Sequence, residues 1–600
     1  MKGKRTDIII IYLICLITKV VISLRVYPVL YLSDEVSALS ATALAAGFDW
    51  SAVVSHAGYY GFGFLALLAP LFNIVRSPVW IYRIIVTISC MMEALCSVVC
   101  YHTIPYLIPD LERKKKNTIS LLSSLTTIAA TFTMGNRNEE MACLLVWITI
   151  YLLVRILLET GRKRAMLELL LLTVIAYSFT IHARLLMIPI CLCFVSVFYL
   201  LMHRKLPFHI WFYLGLAVCF IVMQRLTDAY RGLIWKESGV VRNASATGQV
   251  GKIIPFIREN GFTWPIVRYA IINMIGQIYT GIQFTGGLFA VALIAILISW
   301  FPPGIRIKNP DIMFICELFL LLCMTGQIVG TTVSWMPGYF YGYIYSTKAI
   351  TYLRYFGIYL SPLVMFGLVR MEKKPQMEKA VLLISLVFTI VLTAIWFWKI
   401  WPVVNSGGRQ GQMYFGFNGG ANSEEKATEL HHLQAGLVAI EITMLIVALC
   451  MKSKKQECYI FLILYFIAMR IYAGDRTIIN EQKNYVQADA GYQAIEKLKD
   501  KMPIEEIYVI ETRNITDHQI WYLYQFLNYD VHIITELPDK IEKGICFSNG
   551  LLAFEGSNYG IVRLDDNEYA YCFDQQTISA MRNAGYNVED NISITPLVNF

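Results

Sequence analysis

The chain reads as a mainly α, polytopic membrane helical bundle of about 13 transmembrane helices, carrying a small C-terminal extracytoplasmic α/β domain. Three observations predict this. The 600 residues are 56% hydrophobic and only 16% charged, with mean hydropathy +0.53, whereas charged residues make up about 25% of a soluble domain. Apolar runs of about 20 residues, enough to cross the hydrocarbon core, alternate with short basic clusters as the positive-inside rule requires. Near residue 474 the apolar runs shorten and begin to read as short strands and helices. The net charge of +8 is spread over the clusters between apolar runs, so no nucleic-acid partner is expected. The partners implied by composition are membrane lipids.

The first apolar run, about 7–27, follows Lys2, Lys4 and Arg5, so it starts on the cytoplasmic side as an uncleaved helix. Residues 28–80 then form a first external loop. Its segment 60–75 is apolar, but a crossing there would put Arg113-Lys114-Lys115-Lys116 outside. The charge rule therefore makes 60–75 an interfacial or re-entrant helix and 81–107 the next span. Spans at about 118–133, 141–158, 166–181, 185–202 and 209–225 follow in strict alternation. They leave Asn136 to Glu140 and His182-Ala183-Arg184 outside, and Arg162-Lys163-Arg164 and His203-Arg204-Lys205 inside. A long external loop, 226–283, ends in an amphipathic stretch from about 262 that is expected to lie along the membrane. Later spans are expected at about 286–301, 312–330, 352–369, 379–400, 434–451 and 457–473. The division is thus 1–473 for the membrane domain and 474–600 for the external domain, where 506–511 and 530–535 read as strands and 517–528 as a helix.

The 14 cysteines sit mostly in apolar runs, where they act as small hydrophobes. Cys546 and Cys572 lie in the polar tail, and an extracytoplasmic tail leaves a disulfide between them open. Acids within expected spans, Glu93, Glu317 and Glu441, are read as hydrogen-bonded helix contacts, although intramembrane acids also mark transport pathways.

One stretch stands out chemically. Asp34-Glu35 follow the first span directly, then come the small-residue run Ala38 to Gly47, Asp49-Trp50, His56 and Tyr59-Tyr60-Gly61. Read by residue type alone, Asp34 and Glu35 open a helix and favour its N-terminal dipole. Glu139 and Glu140 open a later span in the same way. Together these features resemble the GT-C superfamily of polyprenyl-phosphate-dependent glycosyltransferases, in particular the branch of protein O-mannosyltransferase-like and aminoarabinose-transferase-like enzymes. The resemblance covers about residues 7–225 and departs where the family has a proline pair before the aromatics.

The resemblance implies sugar transfer from a polyprenyl-phosphate donor to an extracytoplasmic acceptor (a cell-envelope glycan, a lipid-linked polymer or a protein). Asp34 is the implied general base and Glu35 its first-turn support. Glu140 and Glu139 are the second acidic position, to orient the acceptor, hold a metal or keep Asp34 in place. Cations near the external membrane face, Arg184 with His182, and Arg354 with Lys348, suit the phosphate. His56 and Tyr60 are candidates for contact with sugar or acceptor. No cofactor is required on this reading; a divalent metal, Mg or Mn, stays open. A polytopic transporter or lipid-linked oligosaccharide flippase is the rival, and a non-catalytic sugar-binding protein the third reading.

Overall fold

A computed structural model describes residues 2–26, 33–48, 61–75, 78–127, 138–234, 246–301, 311–340, 350, 353–400, 402, 426–453, 456–474, 490–498, 506–510, 530–534, 541, 543–548, 551, 559–565 and 568–590. The chain folds as two compact units. The first comprises Met1–Leu24, Thr87–Ala229 and Asn243–Ile478; the second comprises Arg25–Val86, Tyr230–Arg242 and Ile479–Phe600.

The first unit is a helical bundle. Its helices are α1 (Lys2–Ser23), α4 (Pro78–Leu107, from Thr87 on), α5 (Arg113–Leu125), α6 (Glu139–Leu158), α7 (Gly161–Ile181), α8 (Met187–His203), α9 (Ile210–Ile234, as far as Ala229), α10 (Ala246–Asn260), α11 (Trp264–Phe284), α12 (Leu288–Ser299), α13 (Ile312–Phe340), α14 (Leu360–Lys373), α15 (Glu378–Ile395), α16 (Lys426–Ser453) and α17 (Gln456–Gly474). Among the described residues, eight helices are long and apolar enough to cross a membrane, or nine if one bent pair is a single span. The protein is therefore a multi-pass membrane protein. The expected spans at 118–133, 352–369, 434–451 and 457–473 fall on α5, α14, α16 and α17, which are not among these eight helices of the described residues. At 13 residues, α5 is only about 20 Å long.

The bent pair is α11 and α12, which meet at 114°. Gly286 and Gly287 turn the chain there with φ of 56° and 90°, a left-handed backbone that L side chains avoid. The expectation of an amphipathic element before about 283 and a separate one after 286 agrees with this break. Elsewhere the bundle packs closely. A Cβ built on Gly367 of α14 would lie 2.3 Å from the Ala292 Cα of α12. Backbone cannot yield as a side-chain tip can. Gly367→Val is therefore expected to cost about 1–3 kcal/mol, as an overpacked core does, read as a lower midpoint of thermal unfolding in detergent.

Ion pairs buried between helices tie the bundle together. Glu93 of α4 meets Lys19 of α1 and Arg470 of α17, and Arg470 also donates to the Ser124 and Thr127 carbonyls at the end of α5. Glu317 of α13 binds Arg370 of α14 at 2.6 Å and accepts from Trp300 Nε1 at 2.8 Å. Glu93 and Glu317 are thus the helix contacts expected of them. Glu441 instead lies on an exposed side of α16.

The second unit contains α2 (Ser33–Ala46), a 3-10 turn at Leu65–Leu68 followed by α3 (Ala69–Ile74), and an α/β part. The apolar helix at Leu65–Ile74 is shorter than a span, as expected for 60–75. Thr42 donates to the Leu65 carbonyl at 2.8 Å, fastening α2 to it. The α/β part comprises α18 (Ala490–Leu498), β1 (Glu506–Ile510), β2 (Asp530–Ile534), β3 (Ile545–Ser548), β4 (Gly560–Arg563), β5 (Tyr569–Cys572), α19 (Gln575–Asn583) and β6 (Glu589–Asp590). The sheet order is β2-β1-β3-β5-β4-β6, with β2, β1 and β3 parallel. Both expected strands are present; the expected helix at 517–528 lies outside the described residues. Val509, Ile545 and Val562 pack on one face against Ile495 and Met581 of the two helices.

The open disulfide is not formed: Cys546 and Cys572 are free and buried. Cys546 pairs with Tyr571 and Cys572 with Ile545. The thiols are one register step apart and point to opposite faces of the sheet. Burial pushes both up to about 12, so neither is a reactive thiolate at neutral pH.

Candidate functional site

In the first unit, three segments distant in sequence bring charged side chains to one buried point. The first is the start of α6. Its first turn carries Glu139 and Glu140, both 1% exposed, where the helix dipole favours carboxylates. Asn138, just before the helix, donates from Nδ2 to the Ile181 carbonyl at 3.0 Å. That bond joins the start of α6 to the end of α7.

The second segment is the junction of α7 and α8, where the chain leaves the helix at His182 and makes a 3-10 turn over Ala183–Leu186. The turn carries Arg184 inward, to 7% exposure. The third is the turn ahead of a 3-10 segment at Gly357–Tyr359, where Arg354 is 2% exposed.

Glu139 Oε1 accepts from Arg354 Nε at 2.5 Å and from Arg184 Nη2 at 3.2 Å. Arg184 Nη1 also donates to the Arg354 carbonyl at 2.9 Å, and its guanidinium lies 4.4 Å from the centre of the Tyr355 ring. One carboxylate thus gathers two guanidiniums while a backbone carbonyl and an aromatic face set their orientation. Such charge-assisted bonds are about twice as strong as neutral ones.

His182 is the neutral member. Burial first, and the Arg184 charge second, hold its imidazole well below the usual histidine range. The backbone N–H of Arg184 lies 3.1 Å from His182 Nδ1 and Arg184 Nη2 lies 2.8 Å from Nε2. A neutral imidazole has one acceptor nitrogen, so one of these contacts is a hydrogen bond in each tautomer.

Of the residues singled out from sequence, Glu139, His182, Arg184 and Arg354 come together here, with Glu140 buried beside Glu139. Tyr355 and Asn138 join them without having been singled out. Both are sequence neighbours of a candidate, which is the only signal that pointed to them. Asp34 and Glu35 are the second and third residues of α2, in the other unit; their side chains lie outside the described residues. His56, Tyr60 and Lys348 also lie outside the described residues.

Among the described residues no three His, Cys, Asp or Glu side chains gather as metal ligands. In the Glu139 group two guanidiniums already bond to the carboxylate.

No protein-family model and no curated protein sequence matches the chain. Two solved structures of ArnT from Cupriavidus metallidurans are similar to it. The one bound to undecaprenyl phosphate is 12% identical with a TM-score of 0.51, covering 96% of this chain and 99% of that one. The one in the apo state is also 12% identical with a TM-score of 0.50, over the same shares of the two chains. The oligosaccharyltransferase of Archaeoglobus fulgidus, tethered with an acceptor peptide, aligns at 11% identity and a TM-score of 0.43, over 88% of this chain and 63% of that one. The likeness to ArnT extends over nearly the whole of both chains, and with it the GT-C fold that the first helices suggested.

Proposed function

We propose that this protein, which shares the fold of ArnT, is an integral-membrane glycosyltransferase. It moves a sugar from a polyprenyl-phosphate donor to a hydroxyl of an extracytoplasmic acceptor. The observation that carries the reading is the convergence of Glu139, Arg184 and Arg354 at one buried point. Guanidiniums held in a fixed orientation suit a phosphate leaving group, because their fork of N–H donors matches its oxygens. The structure of ArnT with undecaprenyl phosphate supports a lipid phosphate as the ligand class.

In the proposed step, Asp34 takes the proton of the acceptor hydroxyl. The acceptor oxygen forms a bond to C1 of the sugar as the bond from C1 to the phosphate oxygen breaks. The electron pair leaves with the polyprenyl phosphate, whose growing charge Arg184 and Arg354 stabilise. Asp34 ends protonated and returns its proton to water. Direct displacement with one base is the simpler course and inverts the anomeric centre.

The pairing of Lys19 and Arg470 with Glu93 within the bundle favours the second reading, a transporter or lipid-linked oligosaccharide flippase, because paired intramembrane charges line many transport routes. The pairing is local, however: Arg470 also donates to the end of α5.

The two readings separate in a strain lacking the protein. Transfer predicts that one lipid-linked sugar accumulates while an envelope acceptor loses the corresponding mass, and that purified protein in vesicles restores the shift from donor and acceptor added on the same side. Movement of the lipid-linked sugar across the bilayer by the purified protein, with no mass shift on an acceptor present on either side, would make the protein a flippase and end the transferase reading.

A further inference from the structure

A cavity of about 260 Å³ opens at the end of the first unit away from the Glu139 group. Its direction follows from α14, whose start at Leu360 lies six residues past Arg354 and whose Glu372 is at the cavity. That is about 18 Å further along the helix at 1.5 Å per residue.

The cavity is amphiphilic along its depth. Lys114 and Lys115 of α5, Glu372 of α14 and Glu378 of α15 line its outer part. Leu122, Leu288 and Leu462 line its inner part. From Lys115 to Leu122 along α5 is about 10 Å, so charge gives way to hydrocarbon within two helical turns. Lys115 and Glu372 bond to each other at 2.6 Å while both remain partly open to solvent. Lys114 is exposed and Glu378 is partly so. The rim therefore presents both signs of charge above an apolar floor.

We infer that this cavity binds a zwitterionic phospholipid with a primary ammonium headgroup, of the phosphatidylethanolamine class. The lysines face its phosphate, the carboxylates of Glu372 and Glu378 accept from its ammonium, and the upper part of an acyl chain fills the floor. A quaternary ammonium lacks the N–H donors, and the glycerol headgroup of phosphatidylglycerol offers the carboxylates hydroxyl donors but no cation. This site is separate from the proposed sugar transfer and stands whether or not that reading holds.

The test uses the full-length protein in detergent, titrated with phosphatidylethanolamine, phosphatidylcholine and phosphatidylglycerol of identical acyl chains, with bound lipid counted by native mass spectrometry. Phosphatidylethanolamine is expected to bind about tenfold more tightly than either other lipid, a difference on the order of 1.4 kcal/mol. The rim variant Glu378→Lys should erase the preference over phosphatidylglycerol, and Leu122→Trp, which fills the floor, should reduce binding of all three. Equal binding of the three lipids, a preference for phosphatidylglycerol in the unaltered protein, or a preference untouched by Glu378→Lys would each overturn the assignment. Thermal unfolding of Glu378→Lys in detergent, measured beside the unaltered protein, shows that the variant is folded, so the result does not depend on Leu122→Trp folding.

Discussion

Asp34→Asn is expected to lower sugar transfer by about 10²- to 10⁴-fold, the usual worth of a general base, while the protein stays folded in the membrane. The substitution separates two roles that the same residue could fill. Asp34 is the second residue of α2, so a carboxylate there also favours the helix dipole, by about 0.3–1 kcal/mol. Asparagine keeps the size and one oxygen acceptor of aspartate and is as good a residue at a helix start. If Asp34 only supports the helix, Asn costs a fraction of a kcal/mol and transfer is nearly normal. If it takes the acceptor proton, transfer collapses while unfolding in detergent barely changes. Asp34→Glu, which keeps the acid but moves it by one methylene, should fall between. Measuring single-turnover release of polyprenyl phosphate alongside thermal unfolding resolves the two. Normal turnover in Asp34→Asn would remove Asp34 from the chemistry.

Much of this molecule could be read from charge and hydropathy, because the bilayer enforces simple rules. Arg184 and Arg354 lie 170 residues apart, and no local pattern links them. Yet alternation of basic clusters assigned both, with Glu139, to the same ends of the helices, where charges cluster because the membrane interior excludes them. Their meeting at one carboxylate goes a step further than the sidedness. Pairings between helix interiors were less legible. Glu93 was recognisable as a buried acid needing a partner, but nothing in sequence selects Arg470, 377 residues away, over any other cation. The cysteine pair failed for a related reason. Strand alternation is readable, but the register that sets Cys546 against Tyr571 instead of Cys572 comes from the packing of the whole sheet. At Gly286-Gly287 the opposite held, since two adjacent glycines mark a break that any side chain would resist.

Glu139→Gln is expected to destabilise the protein by about 3–5 kcal/mol, the cost of removing one partner from a buried ion pair. The Arg184 and Arg354 side chains are 3% and 2% exposed, so without the carboxylate two buried guanidiniums lose a shared counter-charge where little water screens them. Thermal unfolding in detergent should record the loss. Stability alone cannot tell whether Glu139 serves the fold or the chemistry, but a double substitution can. Adding Arg354→Met to Glu139→Gln removes one of the two cations and replaces a buried pair with an amide beside an apolar chain, a change that is often neutral or stabilising. The double variant should therefore recover part of the lost stability, the rest being the cost of leaving Arg184 without the carboxylate. If the cluster is only a brace, transfer recovers with it. If Arg354 stabilises the departing phosphate, transfer stays low while stability returns, because no thioether can replace a guanidinium at a developing anion. Recovery of both together would leave the cluster as a structural joint between α6, the α7–α8 turn and the turn before α14, and would move the search for the phosphate site elsewhere.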